Sequence, residues 1–266
     1  MKIKLNGVQE TLLIPLIAKA NETKKSDRKI NDPKAVEMAS KIDYDFSKFE
    51  KTMSLDGVIA RTRILDREIQ KYIDTYPDAL CISVGCGLDT RYQRLNRRKI
   101  SWINLDFPDV IKLRKQLLFE GKNVHYIEKS ALDASWIDEV PVMYDHVLII
   151  LEGILMYFTQ EEVIQLFCML HNHFKNCTIF AEIMNPFIAT QTKHHDTVKK
   201  TNAQFHWGVK SGKDMERLCE DLVCVNEWNL TDIMMDMGFQ YRIMRAIPFI
   251  KNKNNKIVEL KLNMLK

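Results

Sequence analysis

Along the chain the hydrophobic rhythm changes at about residue 79, from helical spacing to short apolar runs that alternate with helical stretches. The runs are "ALCISV", "ISWINLDF", "VHYIEKS", "YDHVLIILEG" and "CTIFAEIMN". Between them lie amphipathic helices, clearest in "DVIKLRKQLLFEG" and in "TQEEVIQLFCMLHNHF", where Thr159 is placed to cap and Glu162 sits three residues on. Strand and helix in this repeated order predict a parallel sheet covered on both faces. Two late runs, "QYRIMRAIPFI" and "KIVELKL", are joined by the polar turn "KNKNN". That turn is too short for a helical crossover, so the pattern predicts an antiparallel hairpin at the end of an otherwise parallel α/β sheet.

Length and composition allow one large domain, with or without a cap, since the 266 residues are 46% apolar. Lys and Arg number 39 against 35 Asp and Glu, and the surplus is spread along the chain, so no nucleic-acid partner is expected. The six cysteines (Cys81, Cys86, Cys168, Cys177, Cys219, Cys224) lie singly and form no CxxC pair. They read as reduced thiols of a cytoplasmic protein. The early run "LLIPLIAKA" is interrupted by Pro15, preceded by Asn6, Gln9 and Glu10, and falls short of the roughly 20 apolar residues a bilayer span needs. No membrane partner is expected.

Candidate chemistry begins at "SVGCGLDTRYQRL", where Gly85 and Gly87 follow the first strand directly. A glycine turn there lets a nucleotide-like ligand approach the backbone at the carboxyl edge of the sheet. A dinucleotide fingerprint wants a third glycine where Thr90 stands, which together with the long segment before the first strand weighs against an NAD-dependent oxidoreductase. Asp106 ends the second strand in "INLDFPDV", about 20 residues after the turn, the placement of a carboxylate that accepts from ribose hydroxyls. Phe107 follows it in the same turn. His171 and His173, two apart on a helix, point to different faces, and no metal site is expected. The methionines of "TDIMMDMGFQ" are expected on a helix ending at Gly238.

Taken together, "VGCGLDTRYQRL", "NLDFPDVIKLR" and "LEGILMYFTQEEV" resemble the leucine carboxyl methyltransferase and polyketide O-methyltransferase family, and "KANETKKSDRKINDPKA", "IARTRILDREI" and "FHWGVKSG" extend the likeness over nearly the whole chain. The resemblance implies a Rossmann-like class I methyltransferase fold with a seven-stranded sheet, binding S-adenosylmethionine and releasing S-adenosylhomocysteine. It implies a single domain over 1–266, an N-terminal helical cap segment at 1–75 and a cap or lid insertion at 186–212. Gly85 and Gly87 match the turn against the amino-acid part of the cofactor, Asp89 lies in the same loop, and Asp106 matches the ribose acid. Arg61 matches an arginine that pairs with the cofactor carboxylate, and either Lys24 or Lys25 a second basic residue near it. Ser130 and Ala131 stand where many members carry an Asp-Leu pair against the adenine, with Asp133 nearby, and Glu152 matches an acid at the mouth of the fourth strand.

Methyl transfer from a sulfonium needs alignment and desolvation more than acid or base, because an in-line displacement by an ionised carboxylate requires no proton removal. A hydroxyl acceptor benefits from a base. Candidates are His194, His195 and His206 in the insertion, and Tyr157 in "LEGILMY". Phe187, Phe205 and Trp207 would hold a flat or apolar acceptor under a lid. A small-molecule methyl acceptor is therefore expected, ahead of a protein C-terminus or a non-catalytic cofactor-binding protein.

Overall fold

Five of the apolar runs become parallel strands: β1 (Leu80–Val84), β2 (Ser101–Asp106), β3 (Val124–Glu128), β4 (Val147–Leu151) and β5 (Asn176–Ile183). Two further strands, β6 (Leu222–Asn229) and β7 (Lys256–Asn263), pair antiparallel with each other, and β7 pairs antiparallel with β5. The order across the sheet is β3-β2-β1-β4-β5-β7-β6. The chain leaves β1 for β2 on one side and returns to β4 on the other, so a crevice opens between β1 and β4 at the switch point of a doubly wound sheet. The computed structural model describes residues 3, 7–49, 52–95, 100–141, 143–174, 176–192, 198, 201 and 203–263.

Helices α1 (Leu13–Thr23), α2 (Pro33–Lys41) and α3 (Met53–Thr75) precede the sheet. Within and after it come α4 (Arg91–Arg94), α5 (Pro108–Leu117), α6 (Gln160–His173), α7 (Pro186–Ala189), α8 (Gly212–Met215), α9 (Leu230–Met234), α10 (Phe239–Ala246) and α11 (Pro248–Lys251). The two-residue period of the strands divides their side chains between two cores. Leu80, Ile82 and Val84 meet α6 through Val163, Leu166 and Phe167, whereas Cys81, Leu148 and Ile150 meet α3 through Ile64, Leu65 and Ile69. A third core joins α1, α2 and the start of α3 to Met156, Met184 and Phe205, beyond the carboxyl ends of the strands. The apolar run at 12–20 is thus helix α1, with Leu13, Leu16 and Ala20 fully buried. Pro15 is tolerated because it falls in the first turn, where backbone N–H groups have no helical partner. Helix α6 begins in a reciprocal cap: Glu162 N donates to Thr159 Oγ1 at 3.2 Å and Thr159 N to Glu162 Oε2 at 2.8 Å.

The antiparallel pair is present, but its first strand is not the segment that the pattern proposes. Residues 239–246 and 248–251 are helical, and the strand is "LVCVNEWN" at 222–229. Phe239, Ile243 and Ile247 recur every fourth residue, a helical period, and Pro248 occupies the first turn of α11. Strand β6 sits at the sheet edge with a bulge between Cys224 and Asn226, which breaks the alternation that would have marked it. The expected methionine helix is likewise two helices, α9 and α10, separated at Gly238, which caps the second.

Candidate active site

A cavity of about 780 Å³ opens at the carboxyl ends of β1, β2, β4 and β5, against the first turns of α1 and α3. Its floor is the glycine turn after β1. Gly85 N and Cys86 N both donate to Leu105 O, at 2.8 and 3.1 Å, which folds the turn back across the end of β2. Gly85 has φ +65°, and a Cβ there would collide with the Ile154 side chain. Only glycine combines that backbone with that approach. Gly87 N donates to Asp106 Oδ2 at 2.8 Å, and Phe107 N to Asp106 Oδ1 at 2.8 Å, so two amides aim the carboxylate at the turn. Burial pushes the Asp106 carboxyl up to about 6 despite those two amides. Behind the turn, Arg114 donates to Gly87 O at 3.0 Å and forks onto Glu120 at 2.7 and 2.6 Å.

On the other side of the turn lies a buried ion network. Arg61 Nε donates to Glu152 Oε1 at 2.8 Å and Nη1 to Glu182 Oε2 at 2.7 Å. Arg91 Nη2 donates to Glu152 Oε2 at 2.6 Å and Nε to Asp66 Oδ1 at 2.8 Å. Arg94 joins Asp66 to Asp32 at 2.7 and 2.8 Å, and Lys19 pairs with Asp89. Asp89 also accepts from Arg91 N at 2.7 Å. Four cations thus face five carboxylates, leaving one negative charge in excess. Burial works against the ionised form of Glu152, and the Arg91 and Arg61 guanidiniums overcome it, holding the group below the usual carboxylate range. Asp89 follows the same logic, with burial opposed by Arg91, Lys19 and Arg94, and lies well below its ordinary value. Arg61 Nη2 has no acceptor among the described residues, while its residue lines the cavity.

Gly85, Gly87, Asp89, Asp106, Phe107, Ser130, Ala131, Glu152 and Arg61 therefore come together around one space, although up to 91 residues separate them. Lys24 and Lys25 do not join them. Both are exposed at the end of α1, and Lys25 pairs with Glu22 at 2.7 Å. The lysine that pairs with Asp89 is Lys19, in α1 five residues before Lys24 and fully buried. Asp133 caps the short helix Ala134–Glu139 through Ser135 N, outside the cavity lining. Tyr157 lines the cavity with its ring 5.5 Å from that of Phe205, and burial raises its phenol above the ordinary range. At neutral pH it is a proton donor. Phe187 and Phe205 line the same space, but Trp207 packs into the core on the α6 side. His206 is exposed and outside the lining, its backbone N tied to Met156 O at 2.8 Å, and His194 and His195 lie outside the described residues. Sequence reasoning passed over Lys19, Arg91 and Glu182. Glu182 carried the signal already used for Glu152, an acid near the end of an apolar strand, in "CTIFAEI".

A doubly wound sheet of this order, with a two-glycine turn and an acid at its switch point, is the frame of a nucleotide-binding fold. Comparison with known proteins agrees. The leucine carboxyl methyltransferase family model matches residues 13–171. The chain is 29% identical over 232 residues to the tetracenomycin polyketide synthesis O-methyltransferase TcmP of Streptomyces glaucescens, covering 86% of each. It is 28% identical over 238 residues to the S-adenosyl-L-methionine-dependent methyltransferase dpfgK of Gibberella zeae, covering 81% of this chain and 80% of that one. In fold alone it is similar to a DUF574 family protein from Streptomyces avermitilis, with a TM-score of 0.58 at 13% identity over 93% of this chain and 97% of that one. The chain belongs to the leucine carboxyl methyltransferase family.

Proposed function

We propose that this methyltransferase transfers the methyl group of S-adenosylmethionine to a hydroxyl or carboxylate oxygen of a small, largely apolar molecule. The observation that carries the reading is the continuity of one cavity from the Asp106 turn, past the ion network, to an apolar chamber lined by Leu12, Ile14, Phe187, Ile188 and Phe205. Bound S-adenosylmethionine supplies an activated methyl on a sulfonium, displaced in line by the acceptor oxygen. The chain's residues fit that group. Asp106 would accept from the ribose hydroxyls, Ser130 and Ala131 would flank the base, and Gly85 and Gly87 would let the amino-acid portion approach the backbone. Arg61 Nη2 would donate to the cofactor carboxylate, held in place by Glu152 and Glu182. The single excess negative charge of the network complements the net positive charge of the cofactor, which carries an ammonium, a sulfonium and one carboxylate.

In this reading α1, the short helix before it and the described residues of the 186–212 insertion, among them Phe187, Ile188 and Phe205, act as the cap, excluding water and aligning the acceptor, and such positioning accounts for roughly 7 to 11 kcal/mol in well-oriented reactions. An acceptor already ionised at the working pH needs no base. Two measurements test the reading. Transfer of labelled methyl from the cofactor to oxygen in a panel of small phenols and carboxylic acids is expected, and its absence across the panel would refute the function. Calorimetry with S-adenosylhomocysteine tests the role of Asp106. Its carboxyl, with a value of about 6, is mostly protonated at pH 5 and loses acceptor capacity as pH falls, so affinity drops by up to about tenfold between pH 7 and pH 5. Asp106→Asn should bind weakly at both pH values with a flat profile, and a flat wild-type profile would remove the ribose assignment.

A further inference from the structure

Lys253 lies in the turn between α11 and β7, on the cavity wall. Its neighbours tie that turn to the end of β5 and to α9: Asn185 Nδ2 donates to Asn252 O at 3.0 Å, Asn254 Nδ2 to Thr231 Oγ1 at 2.9 Å, and Asn255 Nδ2 to Glu182 Oε1 at 2.9 Å. The Lys253 ammonium is held 4.0 Å from the ring centroid of Phe187 and 4.2 Å from that of Phe249. Both residues are more than half exposed, at 52% and 70%, with Phe187 in the cavity lining and Phe249 outside it at the rim beside Lys253. The other cations lining the cavity, Arg61, Arg91 and Lys129, each meet a carboxylate. Nearby Lys251 also has one, Asp232 at 2.7 Å. Lys253 has none among the described residues. The wall beside it, formed by Ile188, Met234, Met244 and Ile250, is apolar.

Resting on the methyl-transfer reading above, we propose that Lys253, Phe187 and Phe249 form a subsite for the far end of the acceptor, and that the acceptor is an aromatic acid. Its anionic group pairs with the Lys253 ammonium while its ring lies against the phenylalanines. Ring faces orient an ammonium but do not neutralise it, so the cation keeps its full attraction for an anion, strengthened by the apolar wall. The aromatic faces left in water supply the matching contact area. Pairing with a cation lowers the nucleophilicity of a carboxylate, so the group held here anchors the acceptor and the methylated oxygen is elsewhere on it.

The probes are 3-hydroxy-2-naphthoic acid, 6-hydroxy-2-naphthoic acid and their carboxamides, titrated by calorimetry into the protein saturated with S-adenosylhomocysteine. At least one acid is expected to bind at least tenfold more tightly than its carboxamide, and Lys253→Met and Lys253→Gln should each abolish that preference while Lys253→Arg retains it. S-adenosylhomocysteine affinity should be unchanged in all three variants. Equal binding of acid and amide, no acid binding in the wild type, or a preference that survives both uncharged variants would overturn the subsite. Failure of the wild type to bind S-adenosylhomocysteine would instead refute the methyl-transfer reading on which it rests.

Discussion

Glu152→Ala is expected to lower the thermal unfolding midpoint by about 10 °C, from a loss of roughly 3 to 5 kcal/mol in a chain of this size. The carboxylate bridges Arg61 and Arg91, accepting at 2.8 and 2.6 Å, and it is about nine-tenths buried. Removing it leaves one donor of each guanidinium without its acceptor while both side chains stay mostly buried, and desolvated donors without partners are costly. Glu152→Gln keeps one oxygen for one of the two arginines and should fall between Ala and wild type. A contrast is available at Glu37, which pairs with Lys34 and Lys41 at 2.6 Å and whose carboxyl is held down to about 2 by those lysines. That group stands in solvent, where screening and side-chain entropy cancel most of the attraction, so Glu37→Ala should leave the midpoint unchanged. Differential scanning calorimetry of the three variants decides it. If Glu152→Ala and Glu37→Ala unfold alike, the network does not stabilise the fold.

Gly85→Ala should cost about 2 to 4 kcal/mol, the sum of a left-handed backbone for a non-glycine residue and a side-chain collision. The collision is with the Ile154 side chain, and the backbone φ is +65°. These two contributions separate. Adding Ile154→Ala to Gly85→Ala removes the collision but not the backbone strain, so the double variant should be more stable than the values of the two single variants predict when added. Because the Gly85 and Cys86 amides fold the turn over β2 and bring Gly87 to Asp106, Gly85→Ala should also weaken S-adenosylhomocysteine by more than tenfold. Additive stabilities in the cycle would mean that Ile154 has room to move away, and unaltered cofactor affinity would mean that the turn's path does not shape the site.

The strands that lie in the middle of the sheet were readable because both of their faces are buried. "LCISV" and "VLIIL" have every position inside, and a run of that kind leaves few alternatives. The same holds for Gly85, Gly87 and Asp106, whose hydrogen bonds across the turn span 19 or 20 residues and follow from a strand, a turn and the neighbouring strand. The edge of the sheet was different. Residues 240–250 carry β-forming side chains, yet their apolar positions suit a helix, and the real edge strand at 222–229 is exposed at several positions, including Val223. Edge strands bury little, so their composition is weakly constrained.

By itself, then, the sequence determined the parallel sheet, the crevice, the glycine turn and its acid, because each depends on burial patterns or on spacing along neighbouring segments. Which ions pair was decided by the tertiary structure alone. Arg61 reaches Glu152 and Glu182 across 91 and 121 residues, Lys19 rather than Lys24 or Lys25 meets Asp89, and Trp207 turns into the core while Phe205 faces the cavity. A charged side chain has no period or spacing that announces a distant partner. Its pairing is set by where α1 and the start of α3 lie beyond the carboxyl ends of the strands, and that placement comes from how the third core packs.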